Sequence, residues 1–167
     1  RMIAPDEVPR WIVYEDERLL VVNKPGDVVC HPSKAGPWSS LVGALREYSG
    51  LPTVHLVFRL DRETSGVVVL AKDAKMASRL QTAMMERKVG KAYDAILTGR
   101  LAGPVTVDQP LGDDVRSPVF MKSAVVGPED QGQRAVTHFT PVAWSKDGAA
   151  SIGPSSGGVG RPEGVTP

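Results

Sequence analysis

Runs of β-branched and apolar residues mark the strands that this chain is expected to form. Residues 11–14 and 19–22 are two such runs, and the polar residues between them predict a β-hairpin. Residues 54–58 and 67–71 predict a second pair of strands on either side of a polar segment. Further strands are predicted at residues 28–30, 91–97, 105–107, 119–121 and 135–140, with Tyr93, Ala95 and Leu97 sharing one face.

Two helices are indicated by helical spacing of apolar residues and by capping residues. Ser39 or Ser40 is positioned to cap a helix that ends before Gly50. Asp73 is positioned to cap a second helix over residues 74–87, with a stripe of Met76, Leu80 and Met84. Strands and helices mix without a strict alternation, which predicts an α+β fold with a mixed, mainly antiparallel sheet and flanking helices.

The domain is predicted to comprise residues 1–144, with an irregular, proline-containing stretch at 102–132. Residues 145–167 differ in character, because most of them are Gly, Ser or Pro and the few apolar residues are isolated. Such a low-complexity tail cannot bury enough apolar surface to offset its ordering entropy, so we expect it to be disordered or loosely placed.

Composition excludes several classes of protein. The sequence contains no run of about 18 apolar residues, so neither a membrane helix nor a membrane partner is expected. A single cysteine, Cys30, excludes an internal disulfide and favours a cytoplasmic location. The histidines at 31, 55 and 138 lack metal-ligand spacing, and no phosphate-binding glycine motif occurs, so neither a metal nor a nucleotide cofactor is expected.

Charge is unevenly distributed along the chain. The net charge is only +1, but residues 59–91 contain eight Lys or Arg against four Asp or Glu. This local excess favours a phosphate-bearing partner. From charge alone a solvated helix face is the more common explanation, and both interpretations stay open.

The polar segment between the second pair of strands holds the candidate chemistry. Asp61 lies there between Arg59 and Arg62, on a loop that two core strands would position. Its carboxylate is suited to act as a nucleophile or a base without a metal, and a neighbouring guanidinium is expected to favour its ionised form. The alternative is a turn aspartate that pairs with a surface arginine.

Residues 59–66, RLDRETSG, resemble the catalytic H-R-L-D-x-x-T-S-G motif of the RluA-type pseudouridine synthases. Other elements of that family follow in the same order and spacing, so the resemblance covers about residues 11–144. They are the strand pair at 14–25, His31-Pro32-Ser33, residues 87–93 (RKVGKAY) and Pro110-Leu111-Gly112.

The resemblance implies an isomerase that converts uridine in structured rRNA or tRNA to pseudouridine without a cofactor. It implies that Asp61 is the catalytic carboxylate. Arg59 corresponds to the arginine that helps hold the target base out of its helix, and Tyr93 to the tyrosine that stacks on that base. Arg62 is assigned with them to substrate binding. Extrusion and stacking are what chemistry on a paired base requires.

Two features depart from the family pattern. Phe58 stands where the family has histidine. After Trp144, nothing matches the family's later basic motif, whose cation pairs with the catalytic Asp, so the domain is expected to be C-terminally incomplete. Two functions therefore stay open: the isomerase, and a non-catalytic RNA-binding remnant of the same fold.

Overall fold

A computed structural model describes residues 1–31, 35–114, 117–118, 122–127, 132–144 and 150–157. The chain divides into two compact units, Arg1–Glu86 and Arg87–Pro167, and each is described here by itself. Both contain an antiparallel sheet, and helices of more than one turn are found in the first unit. This arrangement confirms the predicted α+β class.

The first unit is built on a four-stranded sheet in the order β1-β2-β4-β3, with every neighbouring pair antiparallel. Its strands are β1 Ile12–Glu15, β2 Leu19–Lys24, β3 His55–Leu56 and β4 Gly66–Ala71. Its helices are α1 Val8–Trp11, a short 3₁₀ helix Pro37–Ser39, α2 Leu41–Ser49 and α3 Ala74–Met85. The predicted hairpin, the pair of strands and both longer helices are confirmed; α1 was not predicted.

Local capping explains where the two long helices begin and end. The Ser40 hydroxyl accepts a hydrogen bond from the Gly43 N–H at 3.2 Å, and Gly50, with φ of 67°, ends α2. The Asp73 carboxylate accepts from the Met76 N–H at 2.7 Å at the start of α3. These caps satisfy N–H groups that a helix start leaves without intrahelical partners.

The core of the first unit lies on one face of β2 and β4. Leu20 opposes Leu70 and Val22 opposes Val68 across the antiparallel ladder, and all four side chains are fully buried. Period-two alternation of the strand puts these residues on a common face. Leu41 and Leu45 of α2 are buried as well.

The second unit is a six-stranded sheet in the order β5-β10-β8-β6-β7, with β9 paired to β10. Its strands are β5 Lys91–Thr98, β6 Val105–Asp113, β7 Ser123–Val125, β8 Gln133–Phe139, β9 Ala143–Trp144 and β10 Ala150–Gly157. In β5, half-buried and exposed residues alternate, which confirms the shared face of Tyr93, Ala95 and Leu97. No helix in the described ranges is long and apolar enough to cross a membrane.

Several predicted elements differ from the structure. Residues 28–30 form no strand, because the carbonyl oxygens of Val29 and Cys30 accept from the Leu41 and Val42 N–H groups at the start of α2. The stretch at 102–132 was expected to be irregular, yet β6 continues to Asp113 through Pro110. Residues 119–121 lie outside the described residues.

The glycine- and serine-rich segment after residue 144 also differs in part. We expected residues 145–167 to be disordered or loosely placed, whereas Ala150–Gly157 forms β10, hydrogen-bonded to β5 and also paired with β8. Pairing of backbone N–H and C=O groups with two neighbours does not depend on an apolar side-chain pattern, which explains the error. The predicted domain boundary at residue 144 stays a prediction.

Candidate active site

The loop of residues 57–65 connects β3 to β4, and its two ends are fixed by the sheet. The Val57 N–H donates to the Val69 carbonyl at 3.2 Å, which extends the ladder by one residue beyond β3. At the other end Gly66 begins β4 with φ of 131°, a backbone conformation that residues with a Cβ rarely adopt. We refer to residues 57–65 as the Asp61 loop.

Asp61 itself is exposed at the tip of this loop. Its backbone carbonyl accepts a hydrogen bond from the Thr64 N–H at 3.2 Å, which closes a tight turn. The preceding residue, Leu60, points inward and is 9% exposed. Within the described part of the chain, the Asp61 carboxylate has no hydrogen-bond or ion-pair partner, so it is free to meet an incoming group.

The two flanking arginines do not pair with this carboxylate. Arg59 is exposed, and Arg62 binds Glu63 at 2.7 Å and Asp27 at 3.7 Å. That a neighbouring guanidinium favours the ionised form of Asp61 stays a prediction, but among the described residues neither arginine forms an ion pair with it. The physical reason is competition: Arg62 has two nearer carboxylates, one of them on the adjacent residue.

Two side chains, Lys24 at the end of β2 and Cys30 after it, form hydrogen bonds to the Asp61 loop. The Lys24 ammonium donates to the carbonyl oxygens of Pro25 at 3.0 Å, Val28 at 2.8 Å and Arg62 at 3.1 Å. The Cys30 thiol donates to the Leu60 carbonyl at 3.3 Å. These side chains hold the backbone of the residues that immediately precede and follow Asp61.

Close packing reinforces this support. A Cβ added at Gly26 would lie 3.3 Å from the Glu63 carbonyl oxygen, tighter than an ordinary van der Waals contact. The turn at residues 25–27 and the Asp61 loop therefore approach each other backbone to backbone. Asp27 adopts a positive φ of 62° in that turn, which aspartate tolerates better than most residues.

Lys24 was missed as a site residue by sequence reasoning, although the sequence contains a signal for it. Leu20, Val22 and Lys24 occupy alternate positions of one strand, so a lysine falls on the face that is otherwise apolar. Burial lowers the pKa of Lys24, while the carboxylates of Glu63 and Asp61 act in the opposite direction. A buried lysine with a lowered pKa that binds the loop carrying a candidate catalytic group is a feature found at functional sites.

Tyr93 lies in the second unit, on β5, where it is half-buried and its backbone is opposite Ser155 of β10. The structure thus groups Arg59, Asp61 and Arg62 on one loop of the first unit and places Tyr93 on a strand of the other. A cavity of about 440 Å³ in the second unit contains none of these four residues. It is lined by Leu111, Gly112, Asp113, Ser123, Gln133, Arg134 and Ala135. Among the described residues no three His, Cys, Asp or Glu side chains are grouped to hold a metal ion.

Comparison with protein families identifies the relatives of this chain. The family model described as RNA pseudouridylate synthase matches residues 18–152. The ribosomal large subunit pseudouridine synthase D of Shigella flexneri is 35% identical over 139 residues, which is 81% of this chain and 41% of that protein. The protein of the same name from Vibrio vulnificus is 37% identical over 137 residues, again 41% of its length. The chain therefore spans about two-fifths of the length of these relatives.

Solved structures agree with this assignment. Human RNA pseudouridylate synthase domain containing 4 superimposes with a TM-score of 0.71 at 26% identity, covering 91% of this chain and 60% of that one. Human RNA pseudouridylate synthase domain containing 1 gives a TM-score of 0.70 at 24% identity, covering 90% and 60%, and supports the fold alone. The family matches cover the Asp61 loop together with the strands that hold it.

Proposed function

The chain belongs to the RNA pseudouridylate synthase family, and from this premise we propose that it isomerises uridine in RNA to pseudouridine, with Asp61 as the catalytic carboxylate. The observation that carries the proposal is the setting of Asp61. Its side chain is exposed and free of partners among the described residues, while hydrogen bonds hold the backbone on both sides of it. A fixed backbone with an accessible carboxylate suits a group that must meet substrate in one geometry.

The reaction is an isomerisation in which atoms and electrons balance within the nucleotide. The bond between C1′ of the ribose and N1 of uracil breaks, and a bond between C1′ and C5 of the same uracil forms. The hydrogen on C5 leaves to water, and N1 gains a proton. No external oxidant or group donor enters the balance, and Asp61 supplies the nucleophile or base.

Arg59, Arg62 and Tyr93 are proposed to bind the RNA. Arg59 is exposed beside Asp61 and is suited to fill the place of an extruded base or to contact its phosphate. Arg62 is 60% exposed and forms an ion pair with Glu63. An incoming phosphate would displace the Glu63 carboxylate from the guanidinium. Tyr93 presents an aromatic ring for stacking on the extruded uracil.

Ribosomal RNA is the substrate that the relatives favour. The two bacterial relatives are named for the large ribosomal subunit, and we extend that substrate class to this chain in preference to tRNA. Exposed cations on α3, Lys75 and Arg79, supply positive charge for phosphates. A cytoplasmic location accords with the free, buried thiol of Cys30.

The proposal is tested by tritium release from RNA containing [5-³H]uridine, using large-subunit rRNA and tRNA transcripts. We expect release from rRNA, and a loss of about 10³-fold or more in Asp61→Asn, which keeps shape but removes the ionised carboxylate. Glu47→Gln is the matched control, because Glu47 is an exposed carboxylate on α2. Its activity should equal that of the unsubstituted chain.

Other outcomes separate the remaining functions. RNA binding without release by either the unsubstituted chain or Asp61→Asn would overturn the enzymatic proposal in favour of an RNA-binding module. Release from tRNA alone would overturn the choice of rRNA. Equal release by the unsubstituted chain and Asp61→Asn would remove Asp61 from the reaction.

A further inference from the structure

The cavity of about 440 Å³ in the second unit is lined mainly from one face of its sheet. Leu111 and Asp113 are alternate residues of β6, so their side chains lie on the same face. Gln133 of β8 is opposite Leu111 and Ser123 of β7 is opposite Asp113, and residues opposite each other in a ladder share a face as well. The cavity is therefore formed by three neighbouring strands in a fixed register.

Two polar side chains of this lining are available to a ligand. Asp113 and Gln133 are exposed, and over the ranges that the structure describes neither side chain has a hydrogen-bond or ion-pair partner. Leu111, which is 43% exposed, adds an apolar surface beside them. A carboxylate, an amide and an apolar surface side by side are suited to a flat group that carries hydrogen-bonding atoms on its edge.

Charge disfavours a phosphate as the group that enters this cavity. The Asp113 carboxylate would repel it. The guanidinium of Arg134 already binds Asp108 through hydrogen bonds of 3.0 and 2.6 Å, and Lys122 lies 3.9 Å from Asp114. The lining therefore favours a neutral group with donors of its own, such as the base of a nucleotide.

The bases of RNA differ in the donors that they offer to a carboxylate. Guanine alone has two adjacent donors, N1–H and N2–H, on its Watson–Crick edge, followed by the O6 acceptor. The two oxygens of Asp113 can accept both donors, and the Gln133 amide can donate to O6. These two residues are diagonal neighbours across β6 and β8, about 7–8 Å apart, which brings both side chains to one edge of the same base.

The cavity opens on the face of the sheet that also carries Tyr93. Backbone pairing leads from Tyr93 through Ser155 and Phe139 to Val105, and an even number of residues separates Val105 from Leu111 on β6. A strand spacing of about 4.8 Å and a rise of about 3.3 Å per residue put about 25 Å between Tyr93 and the cavity. One RNA of several nucleotides can span that distance.

We propose that this cavity binds an unpaired guanine of the RNA, which Asp113 and Gln133 hold through its Watson–Crick edge. The inference rests on the proposed function for the identity of the RNA, although guanine binding can be measured without any reaction. Every uridine presents the same base to the catalytic carboxylate, so a contact with a second nucleotide gives the chain a means to choose among uridines.

The first test titrates the ¹⁵N-labelled full chain with GMP, IMP, AMP, CMP and UMP and follows the amide resonances. These nucleotides share ribose and phosphate, so differences between them report on the base. GMP should shift the amides of residues 111–113 and 133–135 and bind at least about 10-fold more tightly than AMP, CMP and UMP. IMP lacks only the N2 amino group of GMP, so its weaker binding isolates the second donor.

Substitutions assign the selectivity to the two side chains. Asp113→Asn replaces one acceptor with a donor and should weaken GMP binding at least about 10-fold, to the level of AMP. Gln133→Glu should do the same, because a second carboxylate repels O6. Asp94→Asn is the matched control, since Asp94 is an exposed carboxylate on β5 of the same unit, and its GMP affinity should be unchanged. Equal affinities for GMP and AMP, or GMP binding unaffected by Asp113→Asn, would overturn the inference.

A second test asks whether the guanine belongs to the RNA. Large-subunit rRNA transcripts with scattered inosine in place of guanosine are selected for binding to the unsubstituted chain and to Asp113→Asn. We expect a guanosine position at which inosine weakens binding to the unsubstituted chain but not to Asp113→Asn. GMP binding without such a position would overturn RNA as the source of the guanine. If the unsubstituted chain releases no tritium from uridine, the proposed function fails, and the nucleotide titrations still decide whether the cavity binds guanine.

Discussion

Asp73 shows how one carboxylate stabilises two parts of the first unit. It accepts from the Met76 N–H at the start of α3 and from Arg18 Nε and Nη2 at 3.0 and 3.2 Å. These donors, the Arg18 guanidinium first among them, lower the pKa of Asp73 from its ordinary 3.8 to about 2. The carboxylate thereby links the hairpin turn to the helix that follows β4.

This lowered pKa predicts a pH dependence of stability. A carboxyl whose pKa is depressed by folding stabilises the protein above the unfolded value and loses that contribution as the pH falls through the folded value. Asp73→Asn, which keeps the capping oxygen, should therefore be less stable than the unsubstituted chain at pH 6. The difference should disappear between about pH 3.8 and pH 2. Urea unfolding at a series of pH values measures it, Arg18→Gln should reproduce the effect, and a difference independent of pH would contradict it.

At the residue scale, sequence reasoning located exposed polar groups better than buried ones. Asp61 and Arg59 were found because a polar segment between two apolar runs marks a loop, and loops are exposed. The ion pair of Arg62 with Asp27 was not found, because the chain brings Asp27 near only after folding. Lys24 was overlooked because a lysine is by default expected at the surface.

At the element scale, Gly43 is the clearest case of packing that opposes helix propensity. It lies inside α2, where replacement of glycine by alanine normally stabilises by about 1 kcal/mol. A Cβ at this position would instead overlap the Pro37 carbonyl oxygen and lie within 2.8 Å of the Pro37 carbonyl carbon and Cα. The backbone of the 3₁₀ helix cannot move aside as a flexible side chain would.

Gly43→Ala should consequently destabilise the chain by about 1–3 kcal/mol, the usual cost of overpacking, in spite of the better helix former. Urea denaturation followed by circular dichroism measures the change in free energy of unfolding. Gly90→Ala is the control, because an added Cβ there meets nothing within 4 Å. A stabilised Gly43→Ala would mean that α2 and the 3₁₀ helix are less closely packed than the structure has them.

Helices were predicted more closely than strands, and the reason is local. The ends of α2 and α3 depend on Ser40, Gly50 and Asp73, which act within a few residues of themselves. A strand depends on a partner that the sequence does not specify. β10 pairs along its whole length with β5, more than 50 residues earlier, and its own glycines and serines carry no strand pattern.

At the scale of the whole molecule, burial among the described side chains is concentrated in the first unit. Every buried apolar residue of the described chain lies between Ile3 and Ala77. The described side chains of residues 87–143 are half-buried or exposed, and Ile96 on β5 is 76% exposed. The positioned Asp61 loop thus belongs to the part of the chain with the larger hydrophobic contribution to stability.

This distribution predicts how each unit resists opening. Amide exchange in core elements follows the free energy of the opening that exposes them, and that free energy grows with the apolar surface exposed. The amides of β2 and β4 should therefore exchange at least about 10-fold more slowly than those of β5 and β6, when corrected for their intrinsic rates. Hydrogen exchange read by mass spectrometry of peptides from each strand measures the difference. Equal protection in the two sheets would mean that the units open together, so that the core of residues 1–86 also stabilises the strands of residues 87–157.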